Sequence, residues 1–503
     1  MRARRHGEMY KKYCSILGAH LSYAPFSFMW YYGNLIAYMD SYFQFACSKK
    51  CLDADSQWIL AMFVAGQFPG VFLVKPLVNR IGLKWTGMVT MVISNAATLG
   101  SAWSLQLSVA WTAVIYAIFV GPCVGICTSV ALQVVCGWTP RWTGVFMATV
   151  TGFATVLSMF QNQIITAYIN PRNLKTDAMV GVSAYFSQPE ILNRVPNTVI
   201  IMSFMTFVLQ FAGYALITNP PNSSQGKIKA NAVPSTRVNA GSDELVNSQP
   251  LHGCVNGSHK QDIKNFRSNK KSCTTKSLDI GQTYQCEMTP LESSEHRKGD
   301  IDTPISWKPS EVFLSSAYYA ILLACMALEF SLQMKANFYK QFGQLYIHND
   351  RYLTLIGTLV PVTSTLSRVV FGALHDKGYL SLKDVAVIGL SVNSVLCAFW
   401  YIVPQVSAIM YMFLVLGLAV AQSLFYVLIF CAALRLFGPD HLSTNYALTV
   451  LCILLASIMT PIVVRLFLQS LGWFWLLTYC SIFSLMTLVF VVSANFDTQR
   501  QKQ

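Results

Sequence analysis

Arg368 raises the first question of chemistry. In "TLSRVVFGALHDKGYL", residues 365–380, it stands inside an apolar run that stops at a charged, glycine-bearing turn. A guanidinium in such a run is costly unless it faces protein, water or an anion. Two roles meet that condition. It can reach back to headgroups from the last turns of a helix, or pair with Asp376 nearby. Or it can face an internal cavity and hold a carboxylate in its planar fork. Glu329, in "ACMALEFSLQMK", is a second ionisable group in an apolar run. It is either a proton carrier or an acid paired with Lys335. "FQNQ", 160–163, puts three polar side chains in a row, so at least one faces a wet or helix-packed side. His20 reads as hydrogen-bonded structure. No nucleophile–base pair, metal cluster or phosphate loop stands out, and "GPCVG", 121–125, is a helix-packing glycine pair. The chemistry expected is binding, without enzyme activity, metal or cofactor.

The solvent around these groups follows from composition. The 503 residues are 54% hydrophobic and 12% charged, with a mean hydropathy of +0.45. Soluble domains carry roughly 25% charged residues, so this is a membrane protein. The net charge of +14 suits basic cytoplasmic loops and excludes a nucleic-acid partner, since no basic patch is interleaved with exposed aromatics on a soluble module. Most of the fourteen cysteines stand singly in apolar runs, where they act as small hydrophobes. Cys47 and Cys51 flank "SKK" in the first connection and are either bridged or free thiols. The basic N-terminus and the long run after it do not form a cleavable signal.

The elements that must position the site are spans. Crossing hydrocarbon takes roughly 20 apolar residues. Such runs lie near 15–39, 57–77, 86–104, 110–132, 143–168 and 197–217, then near 312–337, 352–374, 383–403, 406–434, 445–468 and 471–493. None alternates with period two, which excludes a barrel and leaves helices. The expected organisation is a tail (1–14), a six-helix bundle (15–217), a linker (218–311), a second six-helix bundle (312–493) and a tail (494–503). The linker is rich in Ser, Asn, Pro and Lys and is expected to be disordered. Its sequons at Asn222 and Asn256 suggest an exposed glycosylated loop, while its many basic residues place it in the cytoplasm. Basic residues also favour the other even-numbered connections, so both termini are expected inside. The expected location is the plasma membrane, with an organelle membrane as the alternative.

The halves repeat. "KPLVNRIGLKW", 75–85, after span two, and "GALHDKGYLSLK", 372–383, after span eight, each set a small polar or acidic residue and a base before a glycine. A repeated half with a long central loop is the layout of two-lobed secondary transporters. The chain resembles a major facilitator superfamily transporter over nearly its whole length. "PLVNRIGLK" is similar to the loop motif of monocarboxylate porters, and "CGWTPRWTG", 136–144, and "LFGPDHLSTNYALT", 436–449, resemble the oxalate/formate antiporter-like branch.

The resemblance implies an all-α membrane protein of twelve transmembrane helices in two pseudo-symmetric six-helix bundles, the major facilitator fold. It implies secondary transport of a small organic anion, a monocarboxylate such as lactate, pyruvate or formate. Both branches place a carboxylate-binding arginine four residues before the span-eight glycine, and Arg368 precedes Gly372 by that spacing. Tyr32 and Asn34 fall at cavity positions of span one and Tyr426 near aromatic cavity positions of span ten; packing or interface anchoring is the plainer role of such tyrosines. Asn79, Arg80 and Gly82, with Gly372, Asp376 and Lys377, correspond to loop motifs that latch helix ends in one state of the cycle; they also suit a solvated turn. Three departures limit the match: Ser364 replaces the porters' acid, span one holds no lysine, and Ile453 replaces the oxalate branch's second cation. One cation instead of two favours a monoanion. A neutral or lipid-like solute is the alternative, as is a non-transporting scaffold or sensor. The expected partners are the carboxylate, the bilayer, and an ancillary subunit or a cytoplasmic partner of the linker.

Overall fold

Helix boundaries follow proline, glycine and caps more than apolar count. The first run breaks where Pro25 has no N–H to donate. There α1 (Arg2–Ser22) gives way to a 3-10 turn, Ala24–Ser27, and then α2 (Phe28–Phe45). Gly82, at φ 84°, ends α3 (Gln57–Ile81) and opens α4 (Leu83–Leu107); a side chain there would be strained. Ser108 caps α5 (Val109–Ile115) by accepting from the Trp111 amide, the role a serine at this position favours. A π-helical turn, Tyr116–Val120, then leads into α6 (Gly121–Trp138), whose second residue is Pro122.

The structure, a computed structural model, describes residues 2–47, 55–139, 143–218, 307–437 and 442–494. The first half continues with α7 (Thr143–Ile169), a hairpin of β1 (Ala178–Val180) and β2 (Ser183–Tyr185), the short α8 (Pro189–Leu192) and α9 (Val195–Leu216). The hairpin pairs Met179 with Ala184 around Gly181. The second half holds α10 (Pro309–Leu314), α11 (Ser316–Gly343), α12 (Asp350–Asp376), α13 (Leu382–Phe399), α14 (Val403–Val406), α15 (Ala408–Cys431), α16 (Leu442–Leu468) and α17 (Gly472–Ser493). Among the described residues, nine helical spans are long and apolar enough to cross a membrane; α2, α4 and α7 complete the twelve span positions. Phe204, Trp103 and Met486 are among the apolar side chains facing outward, as a helix in lipid requires. The expected linker lies outside the described residues except at its edges, as do Asn222, Asn256, Cys51 and residues 495–503. Cys47 is disulfide-bonded.

Helix packing repeats as the sequence does. In the first half α3 packs on α6 and α4 on α9; in the second, α12 packs on α15 and α13 on α17. The halves meet most extensively where α7 packs on α12, α3 on α16 and α2 on α11. Gly33 allows the last, because a Cβ there would stand 1.9 Å from the Ala336 carbonyl oxygen. Bonds across the halves gather toward the face carrying the 170–194 and 344–350 connections. Asn173 and Asn349 bond at 3.1 Å, Arg351 donates to the Pro171 carbonyl at 2.5 Å, and the Trp473 indole donates to Val182 at 2.7 Å.

Candidate functional site

Arg368 lies on α12, eight residues before its end, and turns inward. Side chains on a helix lean toward its N-terminus, which carries the guanidinium away from the turn at Asp376. Its carbon is centred 4.2 Å from the Tyr426 ring and 5.2 Å from the Trp30 ring. Two aromatic faces, one from α15 and one from α2, therefore cover it, an arrangement that stabilises a desolvated cation. Its Nε and Nη2 are buried with no hydrogen-bond partner among the described residues. These two nitrogens form one edge of the guanidinium, and their N–H bonds point side by side in the geometry that matches a carboxylate. The aromatic rings thus leave a two-pronged donor without an acceptor.

The register of α2 explains why Trp30 is there. Trp30, Asn34 and Tyr38 are spaced four apart and so form one stripe. Gly33, pressed on Ala336, turns that face toward α11. Trp30 is 9% exposed, and its Nε1 has no partner among the described residues. Met29 brings its sulfur within 4.0 Å of the Tyr426 hydroxyl.

Glu329 is near the centre of α11, not near its end, because the helix runs on to Gly343. It is fully buried and its Oε1 accepts from Gln333 Nε2 at 3.0 Å; Gln333 also donates to Ser457 at 2.8 Å. Its Oε2 has no partner among the described residues, and neither has the buried Nζ of Lys335. The two are within electrostatic reach of each other and of Arg368, yet no ion pair among the described residues joins them.

A second cluster links the halves closer to the 344–350 connection. Lys340 Nζ is 2.8 Å from Asp350 Oδ1, with side chains 0% and 2% exposed. Lys340 also donates to Asn34 Oδ1 at 2.6 Å and Tyr38 Oη at 3.0 Å, and lies 4.2 Å over the Tyr38 ring. Asp350 accepts from the Tyr38 hydroxyl, from Asn170 at 3.1 Å and from Gln344 at 3.3 Å. Thr166 and Thr354 bond at 2.8 Å beside them. Every charge here has partners, as a buried pair requires. Both charged residues belong to the second half, and Asn34, Tyr38, Thr166 and Asn170 to the first.

The residues singled out in the sequence therefore separate. Tyr426 joins Arg368, and Glu329 is within its electrostatic reach. Asn34 belongs to the Lys340 cluster instead. Tyr32 donates to the Ser56 carbonyl at 2.7 Å and packs on Phe28 at 5.1 Å, in the wall of the first half. Of "FQNQ", Asn162 reaches the Gly357 carbonyl at 3.3 Å and Gln163 reaches Thr358 at 2.8 Å, both on α12; Gln161 is buried with neither amide atom bonded among the described residues. His20 bonds the Ile16 carbonyl and Thr149. In the loop motifs, Asn79 and Arg80 are exposed, as are Asp376 and Lys377. Gly372 has open space where a Cβ would go. Trp30, Tyr38, Lys340 and Asp350 were not foreseen.

The family model for "Sugar (and other) transporter" matches residues 18–173. Among solved structures the chain is similar to a D-xylose-proton symporter, with TM-score 0.58 and 12% identity over 98% of this chain and 99% of that one. It is also similar to the inward-open xylose transporter XylE from E. coli, with TM-score 0.57 and 11% identity over 96% and 95% of the two chains. No curated protein matches significantly. At such identities the likeness establishes the fold: all-α, twelve membrane helices in two six-helix bundles, the major facilitator arrangement. The chain is a multi-pass membrane protein. These matches are described as sugar transporters and do not support placing the chain among the monocarboxylate porters or oxalate/formate antiporters that the loop motifs resemble.

Proposed function

We propose that the chain is an alternating-access carrier of a small organic anion, most simply a monocarboxylate. The observation that carries this is the buried fork of Arg368, flanked by the Trp30 and Tyr426 rings and lacking an acceptor among the described residues. A carboxylate supplies two acceptors in the plane that the fork defines. Contacts between the halves, gathered toward one face, suit a carrier held in one of its two access states. Glu329, buried, with one carboxylate oxygen unpartnered among the described residues and within electrostatic reach of the fork, is the group we assign to proton coupling. Basic connections support both chain ends lying in the cytoplasm, with the plasma membrane as the site of action.

One observation favours a second reading, a neutral sugar. Gln161 carries two amide atoms in the interior that are unbonded among the described residues, and it lies within the stretch that the sugar-transporter model matches. A polyhydroxyl solute would take up such atoms.

Uptake of labelled lactate, pyruvate, formate, oxalate and D-xylose into proteoliposomes, across a pH step, separates the two. Monocarboxylate uptake is expected, and Glu329→Gln should remove its response to the step. Arg368→Lys keeps the charge but loses the fork and should raise the half-saturation concentration. Arg368→Gln, at normal surface abundance, should abolish uptake, because truncating one partner of a buried charge pair costs about 2–5 kcal/mol. D-Xylose uptake without anion uptake sinks the anion reading in favour of the sugar. No uptake of any solute favours a scaffold.

A further inference from the structure

The connection 170–194 is folded onto itself and fixed to the first half. Ser187 donates to Asp177 from both its amide and its hydroxyl, Gln188 reaches the Lys175 carbonyl at 2.9 Å, and Arg194 reaches that of Tyr168 at 3.0 Å. Phe186 stacks on Tyr38 at 5.4 Å and gives its amide to Ser41, both on α2. Toward the second half the connection reaches two places. Trp473, at the start of α17, donates to the Val182 carbonyl in the turn of the hairpin at 2.7 Å. The other bonds go to the start of α12, the helix that carries Arg368.

There the first half completes a cap of the second. The first amides of a helix have no carbonyl of their own helix to bond. Asn349 caps α12 by accepting from the Tyr352 amide at 3.1 Å. The Arg351 amide donates instead to Asn173 Oδ1 at 2.9 Å, while Asn173 Nδ2 reaches Asn349 Oδ1 at 3.1 Å. Asn173 presents itself from a left-handed backbone, φ 54°, which asparagine adopts more readily than other side-chain-bearing residues. Asn170, three residues earlier, reaches Asp350 at 3.1 Å. We infer that the connection 170–194 is a strap and Asn173 its catch. The bonds of Asn173 to α12 and of Trp473 to the hairpin hold the carrier shut on this face, and both must part before the space between the halves opens there. This rests on the alternating-access reading above and not on the choice of solute. Parting strips the Arg351 amide of its acceptor, so closure of this face and the seating of the Arg368 helix are coupled.

Thr354, fully buried between the halves, reports that opening once replaced by cysteine. The rate at which a bulky maleimide labels Thr354→Cys in the detergent-purified protein, above that of the protein without this substitution, needs no substrate. Asn173→Gly keeps the left-handed backbone and drops both side-chain bonds. It should speed labelling by about five- to thirtyfold, the range for one or two ordinary hydrogen bonds. Trp473→Phe keeps a ring against Phe338 and Phe342 but has no N–H, and should speed it by about fivefold. Arg172→Gln breaks an exposed ion pair within the strap, to Glu190, and should leave the rate within about twofold. If Thr354→Cys does not fold, Thr166→Cys, at its bonding partner on α7, serves in its place. An unchanged rate in Asn173→Gly or in Trp473→Phe overturns the strap. So does an equal acceleration by Arg172→Gln, which would mark general loosening. The expected pattern supports the strap even where no anion is carried, so its outcome stands apart from that of the anion reading.

Discussion

Removing Lys340 and Asp350 together should harm the protein less than removing either alone. In Lys340→Met the carboxylate loses an ammonium 2.8 Å away but keeps Tyr38, Asn170 and Gln344. A buried charge stripped of its counter-ion costs about 3–5 kcal/mol, and these remaining bonds place the loss near the lower figure. In Asp350→Leu the ammonium keeps Asn34, Tyr38 and Thr354, so a similar loss of about 3 kcal/mol is expected. The double variant buries no charge. It leaves the neutral groups of Asn34, Tyr38, Asn170 and Gln344 short of a partner, at about 1 kcal/mol each, while the new methyl groups offset about half of that. Its net loss should be about 2 kcal/mol, below either single and far below their sum. The assay is thermal unfolding of the detergent-purified protein for all four members of the cycle. If the two single losses simply add in the double variant, the pair is not the coupled unit that the geometry indicates.

Other outcomes can be checked separately. Gly33→Ala puts a Cβ 1.9 Å from the Ala336 oxygen, so α2 and α11 must part by about 1.5 Å to restore an ordinary 3.4 Å contact. Overpacking of this kind costs about 1–3 kcal/mol, and an unchanged unfolding temperature would show that the approach is looser than described. An epitope placed within 218–311 should be out of reach of antibody on intact cells, with Asn222 and Asn256 unglycosylated; labelling from outside reverses the proposed orientation. Fragments 1–225 and 305–503, co-expressed, should assemble into a transport-competent complex, and failure would give the linker a role beyond tethering.

Sequence reading reached Arg368 because a charge inside an apolar run is conspicuous whatever surrounds it, and Tyr426 came with it through family resemblance. Lys340 and Asp350 escaped because the apolar count ended span seven near 337 and began span eight near 352, which put both in a connection. In the folded chain α11 continues to Gly343 and α12 starts at Asp350. A buried ion pair with several partners can extend a helix past its apolar run. Trp30 was one aromatic in "MWYYGNLIAYM", and sequence alone does not say which side of α2 meets the other half; Gly33 decides that through a contact with a residue about 300 positions away. The hairpin at 178–185 did leave a trace, in the turn residue Gly181 between short β-prone stretches. Pro25 equally marked the break in the first span.

Among the described residues, the buried acids and bases Glu329, Lys335, Lys340 and Asp350 all belong to the second half, as does Arg368. The first half offers Trp30, Asn34, Tyr38, Thr166 and Asn170, none of them charged. Three cations against two acids leave one excess positive charge on one of the two bodies that rock past each other. A bound monoanion cancels it. The proton that Glu329 takes up with the anion restores that charge, so the loaded and the empty carrier on this reading cross with the same charge. Membrane voltage, at about 2.3 kcal/mol per charge per 100 mV, would then act on both steps alike, and net uptake of anion with proton would be electroneutral.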